Sequence, residues 1–212
     1  MDQYKETFDT WNKIASLYEE KFMKLDLYNE SYDLFCKLLH KENASIFEIG
    51  CGPGNIAQYL LSKHPGFDLF GIDVATNMIE LAQKNNPSAK FSVMDCRKID
   101  SIQSTFDGII CGFCLPYLSG EEAVKLVKDA YQLLNTDGVI YLSFVDGTTD
   151  QSGYKTGSGG NRVYFYYHQT GKLEKILTEQ GFTHIQFLKV KYSNTGTVDD
   201  IHTILIARKM NV

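Results

Sequence analysis

The ten residues from Ile46 to Asn55, IFEIGCGPGN, constrain this chain more than any other stretch. Ile46, Phe47 and Ile49 read as a buried strand, which breaks at once into a loop with glycine at 50, 52 and 54. A strand that enters such a loop and continues as a helix brings backbone N–H groups up to a nucleotide. Glycine is needed because a Cβ would block both the tight turn and the approach of a ligand to the backbone.

The rest of the chain sets the frame for that loop. At 212 residues, 43% hydrophobic and 22% charged, it suffices for one globular domain around one core. A formal charge of -5 offers no basic field for a phosphate backbone, so nucleic acid is not an expected partner. No window approaches the ~18 apolar residues of a membrane span. Met1 to Glu6 is polar and acidic rather than signal-like, which makes the expected location cytoplasmic with no membrane partner. The five cysteines, at 36, 51, 96, 111 and 114, lack the density of a disulfide scaffold and read as reduced thiols.

From residue 44 onward, apolar runs alternate with helical periods. Ser45–Ile49, Asp68–Ile72, Lys90–Val93, Phe106–Cys111 and Val139–Val145 are strand candidates. Ile56–Lys63, Asn77–Lys84 and Glu121–Leu134 have helical spacing, the last opened by an S-x-x-E capping box, Ser119 and Glu122, and stopped at Asn135–Gly138. Alternation of this kind implies a parallel sheet with right-handed crossovers. Thr170–Gln180 is a further helix, and the strand candidates Thr183–Tyr192 and Ile201–Arg208 are joined by a link too short for a helical crossover. The predicted fold is therefore α/β: a Rossmann-like seven-stranded sheet, mostly parallel with a C-terminal antiparallel hairpin, and helices on both faces.

Ahead of this core, residues 44–212, lie two amphipathic helix candidates, Gln3–Tyr18 and Asn29–His40. Residues 1–43 are thus expected as a helical lid or appendage of the single domain. Asp146–Asn161 is rich in Gly, Ser and Thr without periodicity, as a surface loop or a substrate-covering flap would be.

The strand ends then narrow the nucleotide. Glu48 followed by Gly50, Gly52 and Gly54 resembles the first motif, E/D-x-G-x-G-x-G, of class I S-adenosylmethionine-dependent methyltransferases; the dehydrogenase fingerprint G-x-G-x-x-G needs glycine where this chain has Asn55. Asp73 closes the second strand, and the run to Ala82 resembles the D-x-S-x-x-M-x-x-x-A segment of small-molecule methyltransferases, with Thr76 shifted from the usual Ser position. Phe91–Cys96, the Phe106–Cys111 strand, the Leu133–Ile140 turn and Leu173–Phe182 resemble the family's later motifs in order.

The resemblance implies S-adenosylmethionine as methyl donor, S-adenosylhomocysteine as product and a small-molecule acceptor. It implies Asp73 on the ribose hydroxyls, Met78 against the adenine, and Asp95 with the Cys96 backbone on the adenine edge. Glu48, Gly50, Gly52 and Asn55 belong to the loop, while Cys111 and Phe113 lie at or after the fourth strand beside the donor. Tyr18, with Trp11, supplies aromatic lid surface for a sulfonium.

Methyl transfer from a sulfonium is an in-line displacement that needs alignment and exclusion of water more than a fixed catalytic group, so no catalytic residue is assigned. His168, Tyr117 and Asp146 are conceivable bases with ready structural explanations. Cys111 and Cys114 form a C-x-x-C across a strand end, without the second close pair a zinc site takes, and no metal is expected. Pro116 and Tyr117 depart from the N-P-P-Y signature of base-modifying enzymes because Leu115 precedes a single proline. The competing readings are a donor-binding protein without turnover and an NAD-dependent oxidoreductase, and the expected assembly is a monomer or homodimer.

Overall fold

Seven strands, most of them apolar on both faces, can be buried only if helices cover the sheet on each side. The computed structural model, which describes residues 3–157, 159–193 and 200–210, has that arrangement. Helices α1 (Gln3–Lys13), α2 (Ala15–Phe22) and α3 (Asn29–Leu39) precede β1 (Ser45–Ile49). There follow α4 (Asn55–Lys63), β2 (Asp68–Asp73), α5 (Thr76–Asn85), β3 (Lys90–Val93), β4 (Phe106–Cys111), α6 (Gly120–Leu133) and β5 (Leu134–Val145). A short ribbon, β6 (Gly153–Thr156) and β7 (Arg162–Phe165), leads to α7 (Thr170–Glu179), β8 (Phe182–Tyr192) and β9 (Asp200–Lys209).

The main sheet runs β3-β2-β1-β4-β5-β9-β8. The first five strands are parallel, and β9 pairs antiparallel with both β5 and β8. Two cores result, one on each face. Phe47, Ile49, Ile109 and Cys111 pack with α6 and α7 through Leu126, Val127, Leu173 and Leu177. Ile46, Ile110 and Tyr141 pack with α3, α4 and α5 through Phe35, Leu60 and Ile79.

Strand order reverses at β1 and β4, so their carboxyl ends open the crevice where doubly wound folds take ligands. The Ser119–Glu122 capping box is formed, with Glu122 N–H donating to Ser119 Oγ at 3.3 Å and Ser119 N–H to Glu122 Oε2 at 2.8 Å.

Three expectations change. The helix read as Gln3–Tyr18 is two, because the chain bends at Ile14 (φ -99°, ψ 15°) and α2 continues to Phe22. The expected stop at Asn135–Gly138 lies within β5, which starts at Leu134 and takes up a left-handed residue at Asp137 and a register shift against β4. The aperiodic Asp146–Asn161 stretch contains β6, paired antiparallel with β7. Side-chain alternation is weak there because the ribbon is held by backbone pairing and by docking onto α1, with Tyr164 N–H donating to Thr7 Oγ1 at 2.9 Å and Thr10 Oγ1 to Arg162 O at 2.8 Å. Most of the β8–β9 link, residues 194–199, lies outside the described residues.

Candidate functional site

The loop after β1 passes through three left-handed glycines, Gly50 (φ +70°), Gly52 (φ +53°) and Gly54 (φ +82°). A Cβ on Gly50 would press Cys114 Cβ at 2.9 Å and one on Gly54 would strike Asn86 Nδ2 at 2.4 Å, so both are demanded by packing. At Gly52 the only neighbour within 4 Å among the described residues would be Tyr18, at 3.7 Å, because this position faces open space. That space is the crevice.

The crevice has two chambers sharing Trp11, Tyr18, Gly52, Phe113 and Tyr117 as walls. Phe8, Asp73, Met78, Asp95 and Cys96 complete the first, while Tyr28, Asn55, Phe165, Tyr192 and His202 belong to the second. Asp73 is fixed at the end of β2 by two backbone donors, Gly52 N–H to Oδ2 at 3.0 Å and Ala75 N–H to Oδ1 at 2.9 Å. Burial raises its pKa, and these donors work against the shift. One bond to each oxygen leaves further lone pairs for a vicinal diol.

Asp95 faces the same chamber, with Arg97 laid along its carboxylate, Nη2 to Oδ2 at 2.6 Å and Nε to Oδ1 at 3.0 Å. Desolvation alone would raise Asp95, but the Arg97 hydrogen bonds prevail and hold it below the usual carboxylate range. Arg97 also reaches Glu122 at 3.2 Å and lies 4.3 Å from the Tyr4 ring centroid, tying the chamber's rim to α1.

The roof is aromatic. Trp11 meets Tyr18 edge-on at 5.5 Å and Tyr117 at 5.4 Å, a surface suited to a cation without a hydrogen-bonding proton. Between the chambers stands Phe113, in the left-handed region (φ +57°), its N–H donating to the buried Ser143 Oγ at 2.8 Å. Such a conformation in a non-glycine residue persists only where its surroundings over-determine it.

The crevice thus gathers most of the site residues expected from sequence: Tyr18, Gly50, Gly52, Asn55, Asp73, Met78, Asp95, Cys96 and Phe113 line one or both chambers. Two expected residues lie elsewhere. Cys111 is fully buried in the core beside α6 because alternation along β4 turns it away from the crevice. Glu48 is fully buried beneath the loop, both oxygens lacking a hydrogen-bond partner among the described residues, and burial pushes its pKa up to about 8.

The conceivable bases divide in the same way. Tyr117 lines both chambers, whereas His168 bonds Leu115 O through Nε2 at 2.9 Å and Asp146 accepts from Thr170 N–H at 3.0 Å to anchor α7. The Cys114 and Cys96 sulfurs are 3.6 Å apart, and no cluster of three or more His, Cys, Asp or Glu among the described residues is arranged to hold a metal.

Sequence reasoning missed His202. Because β9 runs antiparallel to β5, His202 at its start is registered against Val145 at the end of β5, and so arrives at the crevice. Its Nδ1 lies 2.7 Å from Tyr28 Oη, and its ring is stacked with Tyr192 at 5.0 Å. Burial lowers its pKa to about 4, so the imidazole is neutral near pH 7. The signal was present in the hairpin, whose pairing fixes which end of β9 meets the crevice.

A cofactor of the expected kind fits these residues: Asp73 for a diol, the bare Gly52 wall for close approach, and the α4 N-terminus, capped by Gly54 and so without a capping side chain on its N–H groups, for a carboxylate.

Comparison with known proteins agrees with this geometry. Residues 46–138 match the family model described as a methyltransferase domain. The chain is 26% identical over 148 residues to carboxy-S-adenosyl-L-methionine synthase of Campylobacter jejuni subsp. doylei, covering 66% of this chain and 62% of that one. It therefore spans less than two thirds of that relative's length. It is 21% identical over 220 residues to tRNA N(3)-methylcytidine methyltransferase trm141 of Schizosaccharomyces pombe, covering 98% and 88%. Among solved structures, 1,6-didemethyltoxoflavin-N1-methyltransferase of Burkholderia thailandensis, with bound 1,6-didemethyltoxoflavin and S-adenosylhomocysteine, has a TM-score of 0.70 at 16% identity, covering 94% and 85%. At that identity the likeness is one of fold.

Proposed function

We propose that this chain is a class I S-adenosylmethionine-dependent methyltransferase and that it transfers a methyl group from that donor to a small-molecule acceptor. The observation that carries the reading is Asp73, held between the N–H groups of Gly52 and Ala75 at a wall where Gly52 leaves open space.

In this reading the first chamber takes the adenosyl part of the donor. Asp73 accepts from both ribose hydroxyls, Met78 packs against the base, and Asp95 with the Cys96 backbone addresses its edge. The N-terminus of α4 at Asn55 receives the donor's carboxylate. When bound, the donor supplies an electrophilic methyl carbon on a cationic sulfur. Trp11, Tyr18 and Tyr117 exclude water around that cation, and Phe113, on the wall of both chambers, stands between donor and acceptor. Residues 1–43 act as a lid on this site, with Phe8, Trp11 and Tyr18 on its inner surface.

Glu48 and Cys111 have no direct part, since neither reaches a chamber wall. A small acceptor suits the acidic chain better than a polynucleotide, because a charge of -5 opposes phosphate binding. Calorimetric titration tests the proposal: S-adenosylhomocysteine should bind and raise the melting temperature while NAD does neither. NAD binding without S-adenosylhomocysteine binding would overturn it. Turnover of methyl-labelled S-adenosylmethionine against a metabolite pool then separates an enzyme from a silent binder.

A further inference from the structure

The second chamber is built for a particular kind of guest. Among the described residues, nine of the twenty that line it are Phe, Tyr or Trp and none is Lys or Arg. Phosphorylated or carboxylate acceptors would find no cation there, whereas flat aromatic molecules would find rings on several sides. Phe113 and Tyr192 flank His202, at 4.7 and 5.0 Å between centroids. That imidazole is joined to Tyr28 through Nδ1, and its Nε2 has no hydrogen-bond partner among the described residues.

We infer that the acceptor is an uncharged, flat aromatic or heteroaromatic molecule bearing a hydroxyl or ring N–H, and that His202 is the base for that group. The inference rests on the methyltransferase reading above. It fixes the tautomer: Nδ1–H donates to Tyr28 Oη, leaving the Nε2 lone pair for the acceptor. The acceptor's O–H or N–H bond breaks and its proton passes to Nε2. The freed pair forms the bond to the methyl carbon, the carbon–sulfur bond breaks, and its electrons remain on sulfur as a neutral thioether. Imidazolium then loses its proton to solvent.

Charge makes this step feasible in an apolar chamber. One positive charge leaves sulfur as one appears on His202, so the number of buried charges does not change. Asp200, the acidic residue on the wall, favours the imidazolium electrostatically. Tyr28 and Tyr192 are the other titratable groups against the ring, and burial pushes the Tyr28 phenol further above its ordinary value.

The test uses the whole chain with 2-naphthol, 8-hydroxyquinoline, 4-nitrophenol, a dicarboxylate and a mononucleotide as probes. Calorimetry on protein saturated with S-adenosylhomocysteine should show binding of the flat phenols and none of the dicarboxylate or nucleotide. His202→Gln should keep its S-adenosylhomocysteine affinity and lower methylation of 2-naphthol by about 100-fold or more. Methylation of 4-nitrophenol, already ionised at mildly alkaline pH, should fall by less than about 10-fold, because no base is needed. Tyr28→Phe, which keeps the ring, should show the same selective loss in weaker form.

Equal losses on both phenols, or preference for the dicarboxylate or nucleotide, would overturn the inference. S-adenosylhomocysteine binding without phenol binding would overturn it and leave the donor reading standing. Absence of S-adenosylhomocysteine binding would remove the donor reading and this one with it.

Discussion

Arg97 grips both carboxylate oxygens of Asp95, at 2.6 to 3.0 Å, and lies 4.3 Å from the ring centroid of Tyr4 on the first helix. One side chain thereby connects a wall of the first chamber to the roof. The pair is partly solvated, with side-chain exposures of 28% and 16%, so its worth to global stability is small. Arg97→Met should cost no more than about 1 kcal/mol in urea unfolding. It should nevertheless weaken S-adenosylhomocysteine binding by about 10-fold in calorimetry, since Asp95 and α1 both lose their fixed partner. Unchanged affinity would show that Arg97 serves the rim alone.

Gly52 and Gly54 both have positive φ, yet substitution should affect different properties. Gly52→Ala meets only Tyr18, at 3.7 Å, and bears about 1 kcal/mol of left-handed strain. It should fold and lose S-adenosylhomocysteine affinity by more than about 10-fold as the methyl enters the chamber. Gly54→Ala drives a methyl against Asn86 Nδ2 at 2.4 Å and the Ala82 backbone at 3.2 Å, and should cost about 2 to 3 kcal/mol in unfolding. Unfolding and binding measured on both variants would separate a packing glycine from a binding glycine.

The contrast also marks how far sequence carries. The crevice positions of Asp73, at the end of β2, and of Asp95 and Phe113, two residues beyond β3 and β4, were legible because parallel strands deliver their carboxyl ends to one crevice. Glu48 and Cys111 were misplaced because the motif orders residues along the chain without saying which face a strand residue takes. The β6 strand was unreadable for another reason: it pairs with β7, whose own partner is α1, some 150 residues away in sequence, where Glu6 pairs with Arg162 and Thr7 with Tyr164. His202 needed pairwise register, which local composition does not contain.

Glu48 should give stability a distinct pH dependence. Burial raises its pKa from the ordinary 4.5 to about 8 in the folded chain. Between those values the folded state holds a proton that the unfolded state has released. Its contribution therefore favours folding below about 4.5 and is lost as pH rises toward 8, at roughly 1.4 kcal/mol per pH unit. Glu48→Gln cannot ionise, so urea midpoints compared between pH 5 and 8 should fall less steeply in the variant. Parallel curves would mean that the carboxyl is ionised and solvated in the folded protein.

Thiol labelling should report occupancy of the first chamber. Cys96 and Cys114 line it, whereas Cys36 and Cys111 are buried in the two cores. Saturating S-adenosylhomocysteine should slow alkylation of Cys96 and Cys114 by about 10-fold or more if access requires an emptied chamber. Cys36 and Cys111 should change only as far as global stability does. Site-resolved mass spectrometry reads all four at once, and equal rates at Cys96 with and without ligand would place the ligand elsewhere.

The contact between α1 and the β6–β7 ribbon should respond to Thr7. Its side chain is buried at 2% exposure, donating to Gln3 O at 2.8 Å and accepting from Tyr164 N–H at 2.9 Å. Thr7→Val keeps the shape but leaves that β7 N–H without its acceptor, at about 1 to 3 kcal/mol. The penalty falls on the contact between α1 and the ribbon, so hydrogen exchange should accelerate in α1, β6 and β7 and stay unchanged in β1 and β4. With α1 held less firmly over the first chamber, S-adenosylhomocysteine should dissociate about 10-fold faster at nearly constant association rate. Thr10→Val removes an exposed bond to Arg162 O and should shift both measurements by far less, since water replaces the lost partner.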